Sequence, residues 1–227
     1  DKSPAMVRKA TGNTPEAPFD SIRDWVAALE DHGLLLRIPE VDQDNFEATG
    51  LFFRMTDLYG MYGSPGLMFE RIKIDGQWVN GPVLANMQGH WNTDSIAFGI
   101  EPVPNQHYSN YRAVKAKMHE VLNSNNGRYP GIPPRLLLRE QAPCKEITLE
   151  GDAIDLTKFA FIQTNPNDDG RYINTASVFT TDPEMGTNYG TYRCALRGPR
   201  KLGFNPEPGQ TGYKMMMAAK ARGEKTA

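Results

Sequence analysis

The sequence predicts an α/β protein in two parts: a layer of alternating helices and strands, then a part dominated by strands. Over the first hundred residues, segments with apolar residues at helical spacing take turns with short apolar runs, which is typical of an α/β layer. The 227 residues are enough for one large domain or two small ones. The 21 glycines and 17 prolines are spread through the chain, which favours short strands and loops over a helical bundle.

The first part opens with an amphipathic helix. Asp20 is the predicted N-cap residue, and Gly33 is predicted to end the helix just beyond its last turn. Ile22, Trp25 and Leu29 fall on one apolar face between these two positions. Further helical patterns cover residues 45–59, 93–99 and 111–122.

Strand patterns lie between these helices. Residues 34–38 form an apolar run that is predicted to stop at Pro39, because proline removes a backbone donor. Residues 71–79 alternate on either side of Asp75-Gly76, a dipeptide typical of a tight β-hairpin. Two further short strands are predicted at 67–69 and 83–87.

A change of composition marks the boundary between the two parts. Residues 123–134 are rich in proline, glycine and asparagine, and we place the boundary at 125–140. The predicted division is a flexible arm at 1–18, an α/β domain at 19–130 and a second domain at 131–227.

Two long strands dominate the second part. Residues 172–181 alternate and are rich in β-branched side chains, residues 182–186 form a turn, and residues 188–196 return as the partner strand. A further strand is predicted at 146–149, a loop at 198–212 and a helix at 213–222.

Composition excludes several classes of function. The net charge is −2, and no basic run is longer than the one at 197–201, so nucleic-acid binding is not expected. The two cysteines, Cys144 and Cys194, have no metal-ligand spacing, and reduced thiols are the default. No apolar run approaches the ~18 residues of a membrane span, and no leader pattern is seen, so a cytoplasmic protein is expected.

The most suggestive pair of side chains is Asn188 and Arg193. Asn offers a neutral oxygen to a cation, and Arg offers a fork of donors for a carboxylate or phosphate. Positions five apart on a strand point to opposite faces, so convergence of the two requires a turn, for which Gly190 is the candidate. The alternative is an Asn in a turn and an Arg in a surface ion pair.

Other polar features are weaker. The Asp168-Asp169-Gly170 turn fits either a cation site or ordinary Asx-turn chemistry, and Thr211-Gly212 fits a helix cap or a phosphate site, with capping preferred. No glycine-rich phosphate loop is present. The scattered histidines, read as surface or capping residues, are His32, His90, His107 and His119.

The chain resembles the UbiD-type decarboxylases from about residue 20 onward. The strongest matches are Gly170-Arg171-Tyr172-Ile173-Asn174-Thr175 and Asn188-Tyr189-Gly190-Thr191-Tyr192-Arg193, which resemble that family's cofactor-binding hairpin. Supporting segments, in the family's order, are 20–33, 65–70, 81–86, 142–146, 155–158 and 180–183. The resemblance implies that the second part begins a split β-barrel of the flavin-reductase-like kind.

The resemblance also implies a reaction and a site. It implies reversible non-oxidative decarboxylation of an aromatic, heteroaromatic or α,β-unsaturated acid with prenylated FMN. Arg193 is the implied catalytic residue, holding the substrate carboxylate or a catalytic glutamate. The implied cofactor-binding residues are Thr175, Asn188, Tyr189, Gly190, Thr191, Tyr192, Arg193 and Gln210.

Two departures from the family pattern affect the implied metal site. Asn188 is the implied ligand of Mn²⁺ or Mg²⁺, with K⁺ as a further candidate ion. Where the family has a histidine ligand, this sequence reads Pro208-Gly209-Gln210-Thr211-Gly212, and Gln210 is the best substitute. The family's catalytic glutamates, third ligand and oligomerisation domain come later than these residues, so we expect this chain to be inactive without a C-terminal remainder.

The expected partners are a small carboxylic acid, that C-terminal remainder and further copies in a dimer or larger oligomer. Two other functions stay open at this point. One is a non-catalytic flavin-binding or assembly subunit, and the other is a domain that binds plain FMN like an FMN reductase.

Overall fold

The structure, a computed structural model, describes residues 15–133 and 135–226. Most of the predicted arm at 1–18, and Pro134 in the predicted connection, lie outside the described residues. The described residues form two three-stranded sheets with helices packed against them, which confirms the mixed α/β class. The elements are α1 (Ile22–Asp31), β1 (Leu35–Asp42), α2 (Glu47–Tyr59), β2 (Gly66–Ile74), β3 (Gln77–Ala85), α3 (Thr93–Ala97), α4 (His107–Ser124), β4 (Tyr172–Asp182), β5 (Gly186–Leu196), β6 (Leu202–Phe204) and α5 (Thr211–Ala221).

The first helix begins one residue later than predicted. The N-cap is Ser21 rather than Asp20, because Ser21 has the extended backbone and its hydroxyl accepts from the N–H of Asp24 at 3.2 Å. Gly33 follows the helix with φ of 70°, as expected for a residue that ends a helix in the left-handed conformation.

The first sheet has the order β1–β2–β3. β1 and β2 are parallel and are joined through α2, and β2 and β3 form the predicted antiparallel hairpin. Both turn residues, Asp75 and Gly76, have positive φ, at 52° and 74°. The separate short strands predicted at 67–69 and 83–87 are parts of β2 and β3.

The prediction that Pro39 ends the first strand is wrong, since β1 runs to Asp42. β1 is an edge strand, and the register with β2 passes from Ile38 to Glu40 without a partner for Pro39. A proline on an edge strand can direct its missing donor away from the sheet, so the strand continues past it.

Two apolar clusters hold the first part together. One packs α1 against α3 and the start of β1, around Trp25, Leu29 and Ile96. The other packs α2 onto β1 and β2, around Phe69 and Ile72, and these five side chains are nearly inaccessible to solvent. Burial of a large apolar side chain contributes roughly 1.5–3 kcal/mol, so these clusters carry much of the stability of the first part.

The second sheet is antiparallel, with the order β4–β5–β6. The strand predicted at 146–149 is wrong: these residues form no strand, and the side chains of Ile147 and Leu149 are exposed because no neighbouring strand covers them. The loop predicted at 198–212 contains the short strand β6, and α5 begins at Thr211, after Gln210 as its N-cap residue.

A strap at residues 157–165 ties the second part to the first. The side chains of Ala160 and Ile162 pack against the Phe69 cluster. Thr49 Oγ1 donates to the carbonyl of Thr164 at 2.5 Å. Among the described residues, no helix combines the length and the hydrophobicity needed to cross a membrane.

Candidate functional site

β5 is an unbroken strand through the residues of the predicted site. Its register with β4 is continuous from Ala176↔Tyr192 to Asp182↔Gly186, and Gly190 lies within it. The turn proposed at Gly190 is therefore wrong, and Asn188 and Arg193 lie on opposite faces of the strand.

One face of β5 packs toward α5 and carries Asn188, Gly190 and Tyr192. The amide nitrogen of Asn188 donates to Thr180 Oγ1 at 3.3 Å, and that hydroxyl contacts the sulfur of Met215 at 3.2 Å. The carbonyl oxygen of the Asn188 amide accepts no hydrogen bond from the described residues, so it is the atom that remains for a ligand.

The ring of Tyr192 requires two glycines beside it. A Cβ at Gly190 would lie 2.3 Å from the ring, and a Cβ at Gly212 would lie 2.8 Å from the hydroxyl oxygen. Phe204 completes the box with an edge-on ring contact of 4.8 Å between centroids. Tyr192 is therefore buried and lines the site with little freedom to move.

The opposite face of β5 is exposed and carries Tyr189, Thr191 and Arg193. The ring of Tyr189 lies 5.1 Å from that of Phe179, and its hydroxyl is 3.3 Å from that of Ser177. These side chains form an aromatic and hydroxyl surface on which a planar ring can lie.

Arg193 is held in place by two neighbours. Its guanidinium lies 4.3 Å from the centre of the Tyr172 ring and donates to Asp168 at 3.2 Å. The side chain is still half exposed, so its remaining N–H groups can reach a ligand. The acidic turn that the sequence left open as a cation site thus pairs with arginine.

The strand and the N-cap of α5 enclose a cleft of about 530 Å³, the β5 cleft. Among its lining residues are Thr191, Tyr192, Arg193, Arg197 and Gln210. β6 pairs only with residues 194–196, so within the described residues the earlier part of β5 is paired on the β4 side alone. The backbone N–H and C=O groups on the edge of β5 that faces away from β4 are therefore available to a ligand at this cleft.

A second cleft, of about 820 Å³, lies between α2, β3 and the start of β4. Thr175 lines this cleft, together with rings of Phe52, Phe159 and Tyr172. No charged side chain lines it, whereas the β5 cleft is lined by two arginines and one acidic residue, Glu207. Tyr172 lines both clefts, so an uncharged aromatic space adjoins a cationic one.

The structure thus brings some of the predicted site residues together. Thr191, Tyr192, Arg193 and Gln210 line one cleft and Thr175 lines the other. Tyr189 and Gly190 lie on β5 but line neither cleft, and Asn188 lies against α5.

The donor set suits an anionic group better than a metal ion. The arginines and the open strand edge suit a phosphate or carboxylate. The described residues contain no group of three histidine, cysteine or carboxylate side chains able to hold a metal. Asn188 and Gln210 are both neutral, and the Gln210 side-chain oxygen already accepts from the N–H of Glu207 at 2.7 Å.

His90, which is buried, contacts His107, which is half-buried, although the two residues are far apart in the chain. Their rings lie 6.2 Å apart, and His90 Nδ1 accepts from the N–H of Asn92 at 3.1 Å. Burial, with a smaller contribution from His107, lowers the pKa of His90 to about 4. His90 is therefore a neutral structural residue, and the sequence contains no signal for this contact.

Comparison with known proteins identifies the second part directly. Residues 135–227 match the 3-octaprenyl-4-hydroxybenzoate carboxy-lyase Rift-related domain of the UbiD family. A phenolic acid decarboxylase of Escherichia coli O157:H7 is 29% identical over 215 residues, which cover 91% of this chain and 41% of that protein. The phenolic acid decarboxylase of Sedimentibacter hydroxybenzoicus is 28% identical, over 82% of this chain and 36% of that protein.

Solved structures agree with this match. The closed form of the S. hydroxybenzoicus vanillic acid decarboxylase superimposes with a TM-score of 0.72 at 26% identity, over 91% of this chain and 41% of that one. The UbiD-class enzyme HmfF of Pelotomaculum thermopropionicum, in complex with FMN, gives 0.67 at 25% identity, over 89% and 40%.

The present chain spans about two fifths of the length of these relatives. The domain match, the sequence relatives and the shared fold agree with one another and with the hairpin segments of the sequence. Residues 135–227 thus match a domain of the UbiD family, and the chain as a whole is similar in sequence and fold to UbiD-type decarboxylases.

Proposed function

We propose that this chain supplies the cofactor-binding hairpin of an enzyme that reversibly decarboxylates an aromatic, heteroaromatic or α,β-unsaturated carboxylic acid with prenylated FMN. One observation carries the proposal: a half-exposed arginine, Arg193, lines the β5 cleft beside the open strand edge, next to an uncharged aromatic cleft. A flat ring that bears an anionic group matches this pair of environments.

The relatives support the same reaction class. Three similar curated proteins are phenolic acid decarboxylases, and two similar HmfF structures hold FMN and prenylated FMN. Since the chain covers only part of each relative, the activity is assigned to the whole protein, a carboxy-lyase, and this chain alone is proposed to be inactive.

In this proposal, Arg193 binds a carboxylate. Its fixed plane on Tyr172 orients the free N–H groups toward a carboxylate, either of the substrate or of a catalytic glutamate from the remainder of the protein. Thr191 and Thr175 offer hydroxyls, and the open edge of β5 offers backbone groups. When bound, prenylated FMN supplies the electron sink for loss of CO₂.

A metal ion is proposed only as a partner of the ligand phosphate. Asn188 and Gln210 would each give a neutral oxygen to Mn²⁺ or Mg²⁺, with K⁺ as a further candidate. Two neutral oxygens alone hold a hard divalent ion weakly, so no step of the reaction is assigned to the metal.

The proposal includes further partners. The second domain, 131–227, is proposed as the first part of a split barrel that the C-terminal remainder completes. Homo-oligomers are proposed because one similar HmfF structure is an evolved dimeric form.

The test uses the full-length protein reconstituted with prenylated FMN and a panel of aryl and acrylic acids. We expect CO₂ release from at least one acid, and Arg193→Ala should bind the flavin but lose at least ~100-fold in turnover. Arg200→Ala, whose side chain lies outside both clefts, should keep wild-type turnover.

Two results would contradict the proposal. If Arg193→Ala kept wild-type turnover, the result would contradict the catalytic role proposed for Arg193. Binding of prenylated FMN without CO₂ release from any acid would instead favour a non-catalytic flavin-binding subunit, and a visible spectrum of plain FMN would favour a reductase-like domain.

A further inference from the structure

A second arginine lines the β5 cleft. Arg197 follows the last residue of β5, four residues beyond Arg193, and both arginines line the same cleft. Both side chains are about half exposed, at 47% for Arg197 and 49% for Arg193.

Each of the two arginines forms an ion pair with one of two consecutive acidic residues. Asp168 accepts from Arg193 at 3.2 Å, and Asp169 accepts from Arg197 at 2.5 Å. Asp168 and Asp169 are consecutive, so both guanidinium groups pair with the same turn. The hydrogen bond from Arg197 lowers the pKa of the Asp169 carboxyl, which favours its ionised form.

We propose that Arg193 and Arg197 form a two-arginine clamp for a ligand oxyanion, a carboxylate or a phosphate, and that the Asp168–Asp169 turn is the internal counter-ion which this oxyanion replaces. The inference deepens the proposed function and rests on it for the identity of the natural ligand. It assigns to Arg197, which no family pattern singled out, a direct binding role.

Energetics favour such an exchange. The Arg197–Asp169 pair is exposed, and exposed ion pairs are individually weak, so Asp169 is readily exchanged for another oxyanion. The Asp168 side chain is only 16% exposed, so Arg193 reaches a ligand first through the N–H groups that Asp168 leaves free. Arginine presents its donors as a fork that matches the oxygens of either carboxylate or phosphate. The ring of Tyr172, whose centre lies 4.3 Å from the guanidinium carbon of Arg193, still contacts this group after Asp168 leaves.

The test follows the arginine Nε–H signals of the chain by NMR during titration with inorganic phosphate and, separately, with benzoate. We expect the Arg193 and Arg197 signals to shift together with at least one of the two anions. The anion that binds more tightly distinguishes a phosphate-binding clamp from a carboxylate-binding one, and either result supports the clamp.

Asp169→Asn is the main variant, because Asp169 is exposed and contacts Arg197. It should bind the effective anion about two- to five-fold more tightly, as expected for removal of one competing exposed pair. Asp168→Asn should act in the same direction, although Asp168 also accepts from the N–H of Asn165. Asp152→Asn is the matched control, since its partner Arg200 lies outside the cleft.

Static arginine signals with both anions, or equal anion affinity in wild type and Asp169→Asn, would overturn the clamp. Neither result bears on CO₂ release. Conversely, a full-length protein that shows these shifts but decarboxylates nothing would contradict the proposed function and leave the clamp intact.

Discussion

At the scale of single residues, the site depends on how closely Tyr192 packs. The ring lies across Gly190 of its own strand and reaches Gly212 in the first turn of α5. Neither glycine has positive φ, so the absence of a side chain, rather than backbone freedom, makes glycine necessary at both positions. The sequence suggests a turn at Gly190, because the aromatic ring that packs against this glycine is visible only in the structure.

Gly190→Ala should therefore destabilise the fold. The new methyl group would meet the Tyr192 ring at 2.3 Å, and overpacking of a buried site typically costs about 1–3 kcal/mol. Gly50→Ala is the control: it lies in α2 with open space around it and should be neutral or stabilising by up to ~1 kcal/mol. Urea unfolding measures both, and a Gly190→Ala protein as stable as wild type would show that the ring relaxes freely.

At the scale of elements, α5 is held against the β4–β5 hairpin at its far end by an ion pair. Arg222 donates to the buried carboxylate of Asp182 at 2.7 Å, and two N–H groups of the turn, from Glu184 and Met185, donate to the same carboxylate. The hydrogen bond from Arg222 makes the largest contribution to the lowered pKa of Asp182. The hydrogen bonds from the two turn N–H groups lower this pKa further.

This pair predicts an acid-dependent stability. A carboxyl whose pKa is lowered on folding stabilises the fold above its unfolded pKa, about 3.9, and loses that contribution as the pH falls through the folded value. Asp182→Asn should thus be less stable than wild type at pH 7, and the difference should shrink below about pH 4. Thermal unfolding across this range is the measurement, with Asp152→Asn as an exposed control; a difference independent of pH would contradict the assignment.

The strap at 157–165 depends on Arg171. Its guanidinium donates to the carbonyls of Thr157, Phe159 and Phe161 at 2.7–2.9 Å and to Asp75 in the β2–β3 turn at 3.2 Å. The side chain is only 13% exposed, so this arginine joins the strap, the start of β4 and the first sheet.

Arg171→Ala should destabilise the protein by about 2–3 kcal/mol, because hydrogen bonds to a charged group are lost together. Arg171→Lys should restore only part of this, since an ammonium lacks the planar fork. Arg200→Ala, in an exposed pair, should cost less than ~1 kcal/mol. Amide exchange should show loss of protection in the strap; unchanged protection there would mean that apolar packing alone holds it.

Much of this element order could be predicted from the sequence, and the failures have physical causes. The β2–β3 and β4–β5 hairpins have strong local signals in their turns and alternation. Pro39 was misread because only the sheet order shows that β1 is an edge strand. β6 has three residues and forms only against β5, so no local pattern predicts it.

At the scale of the whole molecule, the two parts meet through the strap, and the two clefts meet at Tyr172. The hairpin that carries the site was predictable from the family resemblance of its segments. The division of its residues between two faces follows from the two-residue period of the strand, once the strand is known to be unbroken. The role proposed for Arg197 has no sequence signal, because its partner Asp169 is remote in sequence.

The most direct test of the central claim is a crystal structure of the protein with prenylated FMN bound. We expect density for the flavin against residues 189–192 and Thr175, with an anionic group of cofactor or substrate within hydrogen-bond distance of Arg193. Flavin density away from the β4–β5 hairpin, with Arg193 still paired only to Asp168, would contradict the claim.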